Sequence, residues 1–363
     1  MNNIKLKKVI ARPVLVPFRI SPATASAKIE DAAIVLIDVE TTGAITGSSY
    51  LFVYSRQMLE PTVTCLNGIN DLITGKKLAP MDIEIYLKKK FRINNTGGIL
   101  GQAMSGIDMA CWDAHSKALG MPLCAVLGAE PKPIKSYNSC GLWIQEPEKV
   151  AKEANSLVAE ADFNAIKARL GRTEFKEDLL TIRNIKDAVG DKIKIMCDFN
   201  QSQNRNEGLR KCRLLDAENL YWIEEPIRHD DYEGCGKINS EIDTPLQIGE
   251  NLINTYEMQK AIDCMAGDYY MPDVQRIGGV SGWLRAATLA EVNDIDLSSH
   301  LFPEISYHLL CASPTAHWLE YMDWANPILE EPLKIENGYA APPEVPGINI
   351  AWNERAVKKY LAK

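Results

Sequence analysis

The chain has 363 residues, of which 46% are hydrophobic and 24% are charged, a composition typical of a globular protein with a large core. Its net charge of -8 argues against a nucleic-acid surface, which would need clustered Lys and Arg. No run approaches the roughly 18 apolar residues of a membrane helix, and the first residues form no apolar signal segment. We therefore expect a cytoplasmic protein that binds neither nucleic acid nor membrane.

The first section of the chain, residues 1–130, is predicted to form an α+β domain. The pattern from Lys5 to Val53 is strand-like, with Ile34 to Ile37 as its clearest run. Apolar residues then recur at helical spacing, most clearly between Gly101 and Leu119. These patterns indicate a three-stranded sheet followed by helices.

From Ile134 onward, short apolar runs alternate with amphipathic helices, as in a parallel α/β array. Seven or eight such units favour a closed barrel over an open sheet, and we assign it to residues 131–325. The C-terminal segment, residues 326–363, breaks the alternation and is predicted to return to the first domain. The predicted strands are Ser136–Ser139, Ala165–Arg169, Lys194–Asp198, Tyr221–Glu224, Leu246–Glu250, Tyr269–Asp273 and Leu297–His300.

Three acidic residues, here called the acid trio, end three successive predicted strands: Asp198, Glu224 and Glu250. The carboxyl ends of barrel strands meet at one mouth, where active sites lie. Three carboxylates there would repel one another strongly without a cation, and all-oxygen ligation suits Mg²⁺, with Mn²⁺ as a substitute. The alternative is that each carboxylate only caps the helix that follows it.

Asp273 and His300 end the next two predicted strands. An Asp bonded to one imidazole nitrogen fixes the tautomer and makes the other nitrogen more basic, as a general base requires. The remaining histidines have no partner at a matching register, so we interpret them as structural: His115, His229, His308 and His317.

Lys167 and Arg169 stand two residues apart on one predicted strand, so both side chains point to the barrel interior. Two cations there could neutralise a substrate carboxylate and the enolate formed from it. A solvated charge pair is the alternative, although the flanking apolar residues predict a buried strand.

Seven stretches of the chain match the sequence of one known family: Cys197–Gln201, Trp222–Pro226, Ile248–Asn251, Met271–Asp273, Ile277–Trp283, Ser298–Phe302 and Pro314–Glu320. In them the chain resembles the mandelate racemase branch of the enolase superfamily, and the match covers essentially the whole chain. The resemblance implies an α/β fold: a (β/α)₇β TIM-like barrel with an N-terminal α+β capping domain that the C-terminal tail completes.

The resemblance also implies a role for each site residue. The acid trio would bind Mg²⁺, Asp273 would orient His300 as the base, and Glu320 would be an acid hydrogen-bonded to the substrate carboxylate. A homo-oligomer, specifically an octamer, is implied as well. The residues expected to contact or cover the substrate are Ser139, Asn200, Phe52, Tyr54 and the loop Ser21–Ile29.

One position departs from the family pattern. The family's racemase has Lys at both positions of its K-x-K motif, and the second Lys is the base opposite the histidine, whereas this chain has Arg169 there. A guanidinium, with a pKa above roughly 12, is a poor proton acceptor. A single base at His300 slightly favours removal of the α-proton of a 2-hydroxy carboxylate to give a metal-stabilised enediolate, followed by dehydration of a hydroxy acid or sugar acid.

Two other functions stay open at this stage. Aromatic Phe52 and Tyr54 suit a compact, partly apolar acid, which favours a racemase or epimerase of a mandelate-like 2-hydroxy acid. A chain that kept the metal site and lost turnover would be a carboxylate-binding protein, although the complete ligand set argues against it. In each case the partner is a small-molecule carboxylate.

Overall fold

The computed structural model describes residues 4–25, 28–341 and 345–362, so part of the loop Ser21–Ile29 and part of the tail lie outside the described residues. The chain opens with an antiparallel sheet of order β1-β2-β3. Its strands are β1 Leu6–Pro17, β2 Asp31–Thr41 and β3 Thr46–Phe52. Four helices follow: α1 Leu59–Ile73, α2 Pro80–Lys90, α3 Gly98–Leu119 and α4 Leu123–Val126. The predicted sheet followed by helices is confirmed.

Helix α3 lies against strand β3 at close range. A side-chain carbon at Gly47 would lie 2.0 Å from the carbonyl oxygen of Ala110, so any larger residue would push the helix away. Two residues further along β3, the Ser49 hydroxyl donates to the carbonyl oxygen of Gly106 at 2.7 Å. These contacts fix the position of β3, which ends at Phe52 beside the barrel.

Eight parallel strands form a closed barrel within the described residues. Strand β11 pairs with β4, and backbone hydrogen bonds from His317 and Ser299 join the β10 and β11 segments, so no strand edge stays open. The barrel strands are β4 Ile134–Asn138, β5 Ala165–Arg169, β6 Lys194–Asp198, β7 Trp222–Glu224, β8 Leu246–Ile248, β9 Tyr269–Tyr270, β10 Asp296–Leu297 and β11 Leu319–Tyr321.

Strands β8, β9 and β10 end earlier than predicted. Glu250, Asp273 and His300 therefore lie two or three residues beyond their strands, in the loops at the barrel mouth. An isolated parallel bridge between Asp273 and His300, here called the dyad, continues the pairing of β9 and β10. Strand β11, which carries Glu320, was not among the predicted strands.

Helices cover the outside of the barrel. They are α5 Val150–Ala159, α6 Phe175–Val189, α7 Arg205–Leu215, α8 Tyr232–Asn239, α9 Thr255–Asp263, α10 Val274–Ile277, α11 Gly279–Val292 and α12 Pro303–Cys311. Among the described residues, no helix has both the length and the apolar character needed to cross a membrane.

The C-terminal tail touches both parts of the molecule. Its hairpin, β12 Ile335–Glu336 and β13 Tyr339–Ala340, pairs with barrel strand β4. Beyond it, the Trp352 indole donates to Asp38 of β2 at 2.7 Å, and Glu354 at the start of α13 (Glu354–Tyr360) pairs with Arg12 of β1 at 2.7 Å. The tail therefore contacts both the barrel and the capping sheet.

Polar contacts also join helix α3 of the capping domain to the barrel. Asp108 is buried and accepts hydrogen bonds from the Ser281 amide at 3.0 Å and the Ser281 hydroxyl at 2.6 Å, at the start of α11. Burial raises the pKa of the Asp108 carboxyl to about 7, because the low-dielectric interior disfavours its charge.

We expect the free energy of unfolding of the wild type to fall, relative to Asp108→Asn, as the pH rises from about 4 to 7. The pKa in the folded state, about 7, lies above the ordinary value of 3.8, so the folded state binds the extra proton. The contribution of Asp108 is then fully present below the unfolded pKa and is lost as the pH rises through the folded pKa. The full effect is up to about 4 kcal/mol.

Urea unfolding across this pH range measures the effect. Asp82→Asn, at an exposed carboxylate of α2, is the matched control and should run parallel to the wild type. Parallel curves for the wild type and Asp108→Asn would contradict the assigned pKa.

Candidate active site

The acid trio lies at the carboxyl end of the barrel strands. Asp198 and Glu224 are the last residues of β6 and β7, and Glu250 follows β8. One carboxylate oxygen from each lies within 4.8 Å of the other two. Asp198 and Glu224 are buried, and the Glu250 side chain is 13% exposed. The strands thus bring the three predicted residues together.

The alternative that these carboxylates only cap helices is wrong. The side chains that accept hydrogen bonds at the starts of α7, α8 and α9 belong to Asn204, Asp231 and Asn254. The acid trio therefore has no capping task among these helices.

Electrostatics at the trio favour a bound cation. Burial raises the pKa of Asp198, and the charge of Glu250 adds to the effect. Burial likewise raises the pKa of Glu224 to about 8, against the opposing charge of Lys167. Two buried carboxylates whose charged forms are disfavoured, with the carboxylate of Glu250 beside them, fit a hard divalent ion such as Mg²⁺ or Mn²⁺.

Asn200 lies against the trio rather than free in the mouth. Its backbone amide donates to Asp198 Oδ1 at 2.6 Å, and its side-chain amide donates to Asp198 Oδ2 at 2.7 Å. Its φ of 45° is in the left-handed region, which Asn tolerates better than most residues. Asn200 therefore orients Asp198, while the predicted contact with substrate stays a prediction.

Two residues that sequence reasoning missed, Asn251 and Glu225, lie beside Glu250. The Asn251 amide donates to Glu250 at 3.1 Å and to both oxygens of the buried Glu225 at 3.0 and 3.1 Å. Glu225 directly follows Glu224, and burial raises its pKa well above the ordinary value. Both positions belong to the stretches that resemble the family, and this was the signal that could have identified them.

Asp273 and His300 form the predicted pair. His300 Nδ1 lies 2.7 Å from Asp273 Oδ2, and Asp273 Oδ1 accepts from the amides of Gln275 and Arg276 at 2.7 and 3.2 Å. Because a carboxylate only accepts, this bond keeps a proton on Nδ1 and turns Nε2 toward Glu250, 3.3 Å away.

Opposing influences set the protonation of His300. Burial disfavours the imidazolium, but the negative charge of Glu250 and the hydrogen bond to Asp273 outweigh it and raise the pKa of His300 to about 9. A basic Nε2 that faces the acid trio has the position of a proton-transfer group.

Lys167 and Arg169 are 1% and 3% exposed, so the alternative of a solvated charge pair is wrong. Lys167 Nζ lies 2.7 Å from Glu224 and 2.8 Å from Glu320. Burial opposes its charge, but the neighbouring carboxylates outweigh that effect and raise the pKa of Lys167. Lys167 therefore links the acid trio to Glu320.

Arg169 is fixed by contacts on several sides. Its Nη1 donates to the carbonyl oxygens of Ser139 and Gly141 at 3.1 and 3.2 Å, and its Nη2 donates to Ser139 Oγ at 2.7 Å. The guanidinium also lies 4.0 Å from the ring centre of Trp143. With both Nη atoms engaged and one face covered, the side chain has little freedom to reorient.

Glu320 lies at the centre of a buried hydrogen-bond network. Its Oε1 accepts from the Ser139 hydroxyl at 2.7 Å, and its Oε2 accepts from the Leu301 amide at 2.9 Å. Burial opposes ionisation, but the positive charges of Lys167 and His300 outweigh it and lower the pKa of Glu320. The left-handed φ of Leu301, 49°, aims its amide at this carboxylate.

Four aromatic residues, here called the aromatic wall, form an arch over the mouth: Phe52, Tyr54, Trp143 and Trp324. Ring centres of successive members, from Trp143 through Trp324 and Phe52 to Tyr54, are 6.2, 4.8 and 4.5 Å apart. Trp143 stacks on Arg169 at one end, and Arg276 lies 5.1 Å from the Tyr54 ring at the other. The aromatic wall therefore runs from the strand of Arg169 to the short helix α10 that follows Asp273.

The other histidines lie apart from this network. His317 Nε2 lies 2.8 Å from the Tyr221 hydroxyl in the aromatic cluster at the opposite end of the barrel. His308 is buried, and its Nδ1 accepts from the Cys124 amide at 3.4 Å. His229 bonds to Gln201 at the surface, and His115 packs on Trp112. These contacts agree with the interpretation of all four as structural.

Sequence models of one family match most of the chain. The mandelate racemase / muconate lactonizing enzyme N-terminal domain matches residues 4–128, and the enolase C-terminal domain-like model matches residues 149–356. The L-talarate/galactarate dehydratase of Salmonella typhimurium strain LT2 is 30% identical over 330 residues, which cover 90% of this chain and 82% of that protein.

Solved structures share the fold over their full length. An enolase from alpha proteobacterium BAL199 with bound Mg has a TM-score of 0.97 and 39% identity, covering 99% of this chain and 100% of that one. An enolase from Bradyrhizobium complexed with magnesium and mandelic acid has a TM-score of 0.95 and 36% identity, with 100% of both chains covered. The predicted capping domain and barrel are confirmed.

Mg²⁺ should raise the Tm of the wild type, and EDTA should reverse the shift. A ligand that binds only the folded state stabilises it by about 2.7 kcal/mol at a hundredfold excess over Kd. Asp198→Asn should lose most of the shift, because it removes one of the three charges that hold the cation. Thermal unfolding monitored by circular dichroism measures this.

Glu233→Gln, at an exposed acid of α8, is the matched control for that experiment. It should respond to Mg²⁺ as the wild type does. A wild-type response from Asp198→Asn would move the metal away from the acid trio.

Proposed function

This chain belongs to the mandelate racemase and muconate lactonizing enzyme family of the enolase superfamily, and we propose that it removes the α-proton of a 2-hydroxy carboxylate. Dehydration is the slightly favoured outcome of that step. The observation that carries this proposal is the position of His300 Nε2 beside Glu250. Arg169, in contrast, is held by hydrogen bonds and is a poor proton acceptor. The substrate is a small-molecule hydroxy acid or sugar acid.

The acid trio would hold the Mg²⁺ that this family uses. When bound, the ion offsets the charge of the trio and draws electron density from the substrate carboxylate, which makes the α-proton more acidic. Asn200 and Asn251 support the proposal, since they hold Asp198 and Glu250 by hydrogen bonds. The oxygen donors would also accept Mn²⁺.

His300 is the proposed base. Its Nε2 takes the α-proton, and the electron pair of the C–H bond moves toward the carboxylate to give an enediolate. Asp273 keeps Nδ1 protonated and stabilises the imidazolium formed in this step. No other imidazole lies on the described walls of the mouth, which supports a single imidazole base.

Glu320 and Ser139 would receive the substrate carboxylate, together with Lys167. Lys167 supplies a positive charge close to Glu320, and the Ser139 hydroxyl is already directed at it. A carboxylate arriving beside Glu320 adds negative charge and favours the protonated form of that acid. Protonated Glu320 could then donate to the developing enediolate.

Dehydration follows from the single base. The imidazolium of His300 gives its proton to the β-hydroxyl, the C–O bond breaks, and water leaves. The enol that remains tautomerises to a 2-keto acid. The same group takes one proton and gives it back, so the α-hydrogen and the β-hydroxyl would leave from the same face. The related dehydratase from Salmonella supports this outcome.

Epimerisation or racemisation of a mandelate-like acid is the second candidate. The aromatic wall favours it, because its rings offer apolar contact area and few hydroxyl partners for a sugar chain. The solved relative that holds mandelic acid adds support. Against it stands Arg169, which would have to act as the second base.

We also propose that the chain assembles as a homo-oligomer, and specifically as an octamer. Its support is the family resemblance. Light scattering on the purified protein measures the molar mass and decides between these assemblies and a monomer.

His300→Asn should lower α-proton exchange by about 10²–10⁴-fold, because the variant has no basic nitrogen at the position of Nε2. Incubation with Mg²⁺ and a library of hydroxy acids in D₂O, followed by NMR, measures exchange and products together. A 2-keto acid indicates dehydration, and deuterium with inversion indicates racemisation. An absence of exchange in the wild type would favour a carboxylate-binding protein.

The matched control for that variant is His115→Asn, on capping helix α3, which should exchange at the wild-type rate. Unchanged exchange in His300→Asn would shift the role of base to Lys167 or Arg169.

Arg169→Met should keep α-proton exchange within about tenfold of the wild-type kcat while raising KM, since the guanidinium positions Ser139 and takes no proton. Initial rates of deuterium incorporation at several substrate concentrations separate the two constants. A collapse of exchange as deep as that of His300→Asn, in a folded variant, would make Arg169 a base and revive racemisation.

A further inference from the structure

Strand β3 is the edge strand of the capping sheet, and its barrel-facing edge ends at Phe52. Gln275, in the short helix α10 that follows Asp273, completes this edge with its side chain. The Phe52 amide donates to Gln275 Oε1 at 2.8 Å, and Gln275 Nε2 donates to the Phe52 carbonyl at 3.1 Å. The primary amide thus replaces the next strand, with both partners buried.

The backbone of Gln275 is tied to the dyad. Its amide donates to Asp273 Oδ1 at 2.7 Å, while Asp273 Oδ2 holds His300. Four residues therefore form one chain of hydrogen bonds, from His300 through Asp273 and Gln275 to Phe52. This chain joins the proposed base to the capping domain.

Residues on either side of Phe52 also contact the barrel, at helices α12 and α10. The Tyr50 hydroxyl donates to Glu304 at 2.8 Å, just after the loop of His300. Tyr54 has a left-handed φ of 60°, which a bulky residue rarely adopts, and its ring lies under Arg276. The position of the aromatic wall is thus set from the barrel.

We propose that Gln275 is a positioning residue that sets the height of Phe52 above the mouth and so selects the substituent on the α-carbon of the substrate. This rests on the proposed function, in which the α-carbon of the substrate lies within reach of His300 Nε2. A hydrogen or methyl group at that carbon would not reach the wall, whereas an aryl or longer apolar group would contact the Phe52 ring.

Gln275→Met keeps the length and apolar volume of the side chain and removes both bonds to Phe52. Calorimetry in the presence of Mg²⁺ measures Kd for two acids that differ in the substituent on the α-carbon, lactate and mandelate. The wild type should bind mandelate more tightly, and the variant should weaken mandelate by about tenfold or more and lactate by less than about twofold. Tyr50→Phe should change the ratio in the same direction by a smaller factor.

Glu84→Gln is the matched control, since Glu84 pairs with Arg285 at 2.9 Å across the same two domains but far from the wall. It should leave the ratio of the two Kd values unchanged. Equal loss for both acids in Gln275→Met, or no preference for mandelate in the wild type, overturns the proposal. If Gln275→Met fails to fold, an unchanged ratio in Tyr50→Phe overturns it. Binding needs no turnover, so absent exchange in D₂O counts against the proposed function alone.

Discussion

The burial of several carboxylates in one small space is the constraint on which the rest of the site depends. Asp198 and Glu224 are 1% and 0% exposed, so bulk water cannot stabilise their charges. The surroundings supply the compensation: Lys167 bonds to Glu224, Asn200 donates twice to Asp198, and the oxygens converge as cation ligands do. Loss of one partner would leave an uncompensated buried charge, so charge balance holds this end of the barrel together.

The same balance explains why two cations on one strand have different tasks. Lys167 is a point charge that contacts carboxylates, whereas Arg169 is a planar fork whose donors meet carbonyl oxygens and whose face meets Trp143. A guanidinium can be buried in that way because stacking and the neutral acceptors of its Nη donors offset the loss of solvation. The strand thus places one cation among the carboxylates and the other among carbonyl oxygens and an indole ring, so the two positions are chemically unequal.

The strand-end acids could be predicted because parallel strands of a barrel end at one mouth, so register alone brings Asp198 and Glu224 together. Strand β11 was not predicted because Glu320 interrupts its apolar run at the second of three residues, whereas in β6 and β7 the acid comes last. The contact of Gln275 with Phe52 could not be read from any local pattern, since 223 residues separate them and their meeting depends on how the domains dock. Trp143 was missed because its contacts with Arg169 and Trp324 join separate segments of the barrel.

This docking has a consequence for specificity. The wall that faces the substrate substituent belongs partly to the capping sheet, yet its height is set by loops that also orient His300. A shift of Phe52 large enough to admit a bulkier acid would pull on Gln275 and, through Asp273, on the imidazole. Substitutions that enlarge the pocket from the side of Trp324, which does not bond to the dyad loop among the described contacts, would leave that chain intact. Substitutions that change the substrate range are therefore more compatible with proton transfer when they are made at Trp324 than when they are made at Phe52.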